Sequence, residues 1–226
     1  ARAAAFAKKD DHPRALADFT CRIRLKPPDP VAYLLRGTLR ASHKAYGQAV
    51  ADLTEAIKLD PKSPRGYVSR GMAYAEQKLY TKAIADFTEA IRLDPKDADI
   101  YFDRGRAYEK KKEYGKALAD YNQAVQLAPD NAALFNHLAW ALSTWPDHRY
   151  RDGPRAVSYG TRACELTLWK ESAHLDTLAA AYAECRQFDD AVALMRKAIA
   201  LGPPEHQAEF AERLKLFQQR KPYRQR

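Results

Sequence analysis

The sequence predicts an all-α solenoid of antiparallel helix pairs closed by a C-terminal capping helix. Three observations predict it. First, residue types recur every 34 positions: Tyr33, Tyr67 and Tyr101; Gly37, Gly71 and Gly105; Ala49, Ala83 and Ala117; Ala56, Ala90 and Ala124; Pro61, Pro95 and Pro129. A fixed period of this length marks copies of one supersecondary unit, each packed on its neighbours. Second, the apolar residues inside each period fall at helical spacing. Third, Ala is abundant and β-branched runs are absent, which favours helix.

Taken in order, residues 1–29 read as a partial first unit. Ala3, Phe6, Ala15, Phe19 and Pro27 keep the register, yet the first helix lacks its opening turn. The chain also begins without Met, which predicts a piece of a longer protein or a mature form cut from one. Full units follow at 30–63, 64–97 and 98–131. The middle one shows the logic. Its first helix, 64–77, carries Tyr67, Gly71 and Tyr74 on one face; its second, 80–93, carries Tyr80, Ala83, Ile84, Phe87, Ala90 and Ile91. The short turn between them makes the two helices antiparallel neighbours. Gly71 and Ala83 are small because two helix axes approach closely there, and overpacking costs about 1–3 kcal/mol. Phe87 fills the wedge beyond the crossing. Pro95 cannot continue a helix and pushes Asp94 out of the α region, so the second helix ends.

The set Tyr67, Gly71, Tyr74, Ala83, Phe87, Ala90 and Pro95 resembles the tetratricopeptide repeat, with Tyr67 where the family often has Trp. Tyr101, Gly105, Tyr108, Ala117, Tyr121, Ala124 and Pro129 match as well. The unit from Pro30 departs once, with Arg40 in place of the usual aromatic. The resemblance implies a right-handed superhelix whose first helices line a concave, partner-binding face.

The C-terminal third bends the period. A unit at 132–171 opens with Phe135 and Ala139 in register, but the next expected alanine, Ala156, comes 39 residues after Ala117. An insertion at about 144–153 accounts for the shift. The unit at 172–203 returns to the pattern through Leu175, Ala179, Tyr182, Ala191, Met195, Ala198 and Pro203. The stretch from Leu138 to Glu184 resembles a C-terminal module recurrent in bacterial tetratricopeptide proteins. A last helix at 204–219 presents Phe210, Leu214 and Phe217 as one apolar stripe, with Glu209, Glu212, Arg213 and Gln218 off it, and solubilises the end of the stack. The basic tail, 220–226, reads as mobile.

Catalysis finds little support in this pattern, and the reading is of a protein that is not an enzyme. His137, His148 and His174 are scattered, and Cys164 and Cys185 lie on different helices; Cys164 with His174 is the one nucleophile pair to be drawn. No paired Cys or His spacing points to a metal and no Gly-rich loop to a phosphate, so no cofactor is expected. Three cysteines without paired spacing argue against a stapled secreted scaffold, and no apolar run is long enough to span a membrane.

Binding is the better reading. Family resemblance puts the second, fifth, ninth and twelfth places of each unit on the concave face. Across the units these places hold, among others, Arg65, Val68 and Met72, then Phe102 and Arg106, then Asn136 and Trp140. Apolar anchors flanked by Arg have the composition of an interface hot spot. These seven residues are the expected site for a peptide or protein segment, and the chain is read as a non-catalytic interaction scaffold. Trp140 has a second reading, packed under the insertion or the cap. Arg65 has one too, paired to a carboxylate such as Asp99. Arg36, Arg70 and Arg104 precede each Gly and read as a structural habit of the repeat.

The family's two-carboxylate clamp for chaperone tails is not reproduced. In the register from Pro30 its places hold Leu34, Thr38, Ser69, Asp99 and Asp103, and the two acids would repel a carboxylate. Self-association is a second expectation, through an apolar face of Ala3, Phe6, Leu16 and Phe19. Nucleic acid is the weakest. A surplus of 38 Lys and Arg over 29 Asp and Glu gives a net charge of +9, but the fifth places, Leu34, Val68, Phe102, Asn136 and Asp176, form no base-reading code.

Overall fold

The structure, a computed structural model, describes residues 12–25 and 29–225. Ala3, Phe6 and Pro27 lie outside the described residues. Among the described residues there are twelve α-helices, two short 3-10 turns and no strand. The chain forms two compact units that divide between Asp120 and Tyr121. Unit 1 holds α1 (His12–Leu25), α2 (Pro30–Ser42), α3 (Tyr46–Leu59), α4 (Pro64–Glu76), α5 (Tyr80–Leu93), α6 (Ala98–Lys110) and the start of α7 (Tyr114–Leu127). Unit 2 holds the rest of α7, then α8 (Ala132–Thr144), α9 (Gly153–Leu166), α10 (Ser172–Glu184), α11 (Phe188–Leu201) and α12 (Gln207–Gln218). No helix among the described residues is long and apolar enough to cross a membrane.

In unit 1 the local signals set each helix. Asp29 accepts from the amides of Val31 and Ala32, with Pro30 at the first helical turn, and Asp97 accepts from the amide of Asp99. First helices end in a left-handed residue: Lys44, Lys78 and Lys112 all have φ near 61°. The next amides, those of Ala45, Leu79 and Glu113, then reach back to the carbonyls of Arg40, Tyr74 and Tyr108. The chain reverses there, so α2 packs on α3 and α4 on α5. A Cβ on Gly71 would lie 2.9 Å from the Phe87 ring, and one on Gly37 2.8 Å from Leu53. The close approach at Gly71 is thus to Phe87, the wedge residue itself, rather than to Ala83.

A repeating ion pair joins these helices. The guanidinium of Arg70 bonds both carboxylate oxygens of Asp86 at 2.8 Å and the Thr54 hydroxyl at 3.1 Å. Arg36 does the same with Asp52 and Thr20, and Arg104 with Asp120 and Thr88. Each arginine therefore ties its own helix to the second helix of its unit and to the second helix of the unit before. The bidentate geometry satisfies an otherwise buried carboxylate. Arg40 also reaches Asp52, at 2.7 Å. An arginine in the aromatic place is thereby explained.

Unit 2 departs from the pattern. Leu138 stands where the next arginine would fall and is buried, while Asn122, at the threonine place, accepts from Arg155 at 3.1 Å. The insertion is shorter than expected, because Thr144 closes α8 and Gly153 opens α9. Trp145 is buried, and Arg151 donates to the carbonyls of Trp145 and Pro146 and to Glu184. The core joins Leu175, Leu178, Phe188 and Met195 to Phe210 and Phe217 of the cap. Arg213, expected off the apolar stripe of α12, is itself buried, because it bonds the equally buried Asp176 at 2.8 Å. The basic tail is likewise not a free end. Tyr223 packs on the core, Arg224 donates to the Ser143 carbonyl, and the Gln225 amide donates to the Thr144 carbonyl.

Candidate functional site

The seven expected site residues fall on both units. On unit 1, α4 carries Arg65, Val68 and Met72 at i, i+3 and i+7, and α6 carries Phe102 and Arg106 one turn apart. Helical spacing stacks each set on one face. Arg65 and Arg106 are exposed, and Met72 is 51% exposed although it is a large apolar side chain. Val31 and Leu35 of α2 are also exposed, and Leu35 is an apolar contributor that the four-place register does not include.

Two clefts meet at α4. One, of about 260 Å³, is lined by Met72, Ala75, Tyr80, Phe87, Asp103 and Arg106 among others. The other is lined by Leu34, Leu35, Arg65, Val68, Asp97 and Ile100 among others. The face therefore sets an apolar floor within a rim of both charges, Arg65 and Arg106 beside Asp97 and Asp103. The Arg106 guanidinium lies 6.0 Å from the centre of the Phe102 ring. Burial pushes the Asp103 carboxyl up to about 6, with Arg106 opposing the rise and Asp99 and Asp97 adding to it. Arg65 lines the cleft with Asp97 and forms no ion pair among the described residues.

On unit 2 most of the same register positions are covered, Ala133 and Ala173 remaining exposed. Asn136 and Trp140 are half-buried, while Ser143, Asp176, Ala180 and Ala183 are buried. The Trp140 ring centre lies 5.6 Å from that of Tyr223 and 5.5 Å from the Arg213 guanidinium. Trp140 thus packs beneath the cap and tail, the second of the two readings its sequence position allows.

Cys164 and His174 are both drawn into the packing. Cys164 is fully buried, and burial pushes its thiol up to about 11, which keeps it protonated at neutral pH. The His174 ring meets the Thr167 hydroxyl at 3.1 Å, and burial holds its pKa below the usual value. On the self-association face, Leu16 is half-buried and Phe19 is buried, so Phe19 adds nothing to an open surface.

The repeat register alone does not reveal the ion pairs of the buried aspartates or the docking of the tail. A signal existed for the first, since Asp52, Asp86 and Asp120 share the 34-residue period, as do Thr20, Thr54 and Thr88. For Tyr223 and Arg224 there is none, because Trp140 and Ser143, which they meet, lie more than 80 residues away in the chain.

Stacked two-helix units with a small residue at each crossing define a helical-repeat solenoid. Residues 34–98 and 69–132 match the tetratricopeptide repeat family profile. No curated protein sequence matches the chain. Solved structures similar to it include YrrB, a tetratricopeptide protein with an unusual peptide-binding site, at 21% identity and TM-score 0.68, over 86% of this chain and 97% of that one. MamA is similar at 22% identity and TM-score 0.66, over 74% of this chain and 95% of that one. Yeast Tom70 is similar at 20% identity and TM-score 0.67, over 92% of this chain and 44% of that one. At these identities the likeness is one of fold. The profile match over residues 34–132 and the likeness in fold together support a tetratricopeptide repeat protein.

Proposed function

We propose that the chain is a non-catalytic interaction scaffold that holds a peptide or protein segment along the α2, α4 and α6 face of unit 1. The observation that carries this is Met72, half exposed in the cleft that Arg106 also lines, with Arg65 and Val68 of the same helix lining the neighbouring cleft. Apolar side chains of the segment enter the clefts, and the two guanidiniums donate to its carbonyl or amide oxygens. The acids Asp97, Asp99 and Asp103 on the same face disfavour a ligand whose only anchor is a carboxylate. The peptide-binding site named for YrrB supports the same use of the fold.

A displayed library of random dodecapeptides tests the reading. Panning on the chain is expected to enrich peptides with paired apolar residues. Their affinity is expected to fall at least tenfold in the Arg65→Ala/Met72→Glu/Arg106→Ala chain, with helicity unchanged. Enriched peptides that bind the folded triple variant as well as the parent would remove the unit 1 face from the account.

A further inference from the structure

In unit 2 the register positions around Trp140 are covered by α12 and by an extended piece of chain that follows it. After Arg220, which takes a left-handed φ of 56°, the residues from Lys221 to Gln225 form no helix. Their contacts are those of a bound peptide. The Tyr223 ring packs against Trp140, tilted by 36°, and lies 5.4 Å from the Arg213 guanidinium. Arg224 donates to the Ser143 carbonyl at 3.3 Å and pairs with Glu184 at 2.5 Å. The Gln225 amide donates to the Thr144 carbonyl at 2.9 Å, which fixes the backbone direction.

The receiving groups are built into the unit independently of that piece. Arg213 is held by Asp176 and lies 5.5 Å from the centres of both the Trp140 and Phe210 rings, so an aromatic slot is set by α8, α10 and α12. Glu184 is positioned by Arg151 at 3.0 Å, leaving its other oxygen for Arg224. The Ser143 and Thr144 carbonyls are at the end of α8, where the last turn has no intrahelical donor for them. Slot, carboxylate and free carbonyls together read an aromatic side chain, the arginine after it, and a backbone N–H.

We infer that this face of unit 2 is a second recognition site, for an extended segment carrying an aromatic–arginine pair, and that residues 221–225 occupy it in cis and hold it closed. A partner segment of the same chemistry enters only by displacing them. A tethered occupant acts at an effective concentration on the order of millimolar, so it masks the site from ligands of moderate affinity. The inference does not rest on the unit 1 face and involves none of its residues.

The probe is a fluorescein-labelled pentapeptide with the sequence of residues 221–225, followed by anisotropy. Two full-length opened chains are compared with the parent. Tyr223→Ala/Arg224→Ala removes the side-chain anchors, and Gln225→Pro removes the backbone donor while leaving the receiving groups untouched. Both are expected to keep the parent's helicity and to bind the pentapeptide at least tenfold more tightly than the parent. Glu184→Gln in the opened chain, or alanine at either anchor of the peptide, is expected to lower that binding at least tenfold. Opened chains that bind no better than the parent would overturn the inference. So would binding indifferent to the two anchors. Loss of helicity in both opened chains would also overturn it, since residues 221–225 would then be a structural strap.

Discussion

Asp86 shows how one residue's burial decides its worth. It is 6% exposed, and its two oxygens are both taken by Arg70. Removing one member of a buried pair leaves the other charged and unpaired, which is far more destabilising than losing a surface pair. Asp86→Ala is expected to destabilise the chain by about 3 kcal/mol in urea unfolding. Glu89→Ala, which breaks only the surface pair with Arg92, serves as the control and should have a much smaller effect. Asp103 gives the opposite sign. Its carboxyl is raised from 3.8 to about 6 by burial, against Arg106 and with Asp99 and Asp97. Between those values the folded chain holds more protons than the unfolded one, so this group's contribution to stability falls as pH rises towards 6 and stays low above it. Asp103→Asn should therefore stabilise the chain at pH 7.5, and the gain should fade by pH 4.5. A gain that persists at low pH would place its origin elsewhere.

Helices and turns were the legible level, because their causes are local. The 34-residue period, the proline stops and the small residues at crossings each act over a few positions, and the helices of unit 1 follow them. What the pattern left unread was long-range. Arg213 reads as a surface residue from its place beside Phe210 and Leu214; only Asp176, 37 residues away, accounts for its burial. Trp140 and Tyr223 meet for the same kind of reason. The insertion was visible as a shift in register, but not that Arg151 would fold it back on Glu184. The crossing of α4 and α5 allows a direct test of what was read correctly. Alanine is the better helix former by about 1 kcal/mol, so propensity alone favours Gly71→Ala. Its Cβ, however, would sit 2.9 Å from the Phe87 ring, which is itself buried and has little room to retreat. Overpacking of this kind costs about 1–3 kcal/mol and should outweigh the propensity gain. Gly71→Ala is expected to lower the unfolding midpoint, and Gly71→Ala with Phe87→Leu should recover part of the loss. A single variant as stable as the parent would show that propensity wins.

For the whole molecule, the question is what a net charge of +9 is for. Many arginines are committed internally. Arg36, Arg40, Arg70 and Arg104 serve the ion pairs of unit 1, and Arg151, Arg213 and Arg224 those of unit 2. The surplus lies on exposed side chains such as Lys110 and Lys112, at the end of a helix rather than along one of its faces. A base-reading solenoid needs a polar side chain free at the same place in each repeat. The places here hold Leu34, Val68, Phe102, Asn136 and Asp176, and Asp176 is locked to Arg213. Attraction to nucleic acid should therefore be purely electrostatic. An association with single strands that rests on about four phosphate contacts loses roughly fifty-fold between 50 and 200 mM salt. Binding to poly(U) is expected to be weak at 50 mM and lost at 200 mM, while peptides selected on the unit 1 face, held mainly by apolar contact, should keep most of their affinity. Submicromolar poly(U) binding at 200 mM would mean that the basic surplus is a reading surface after all, and would reverse the order of the two ligand classes.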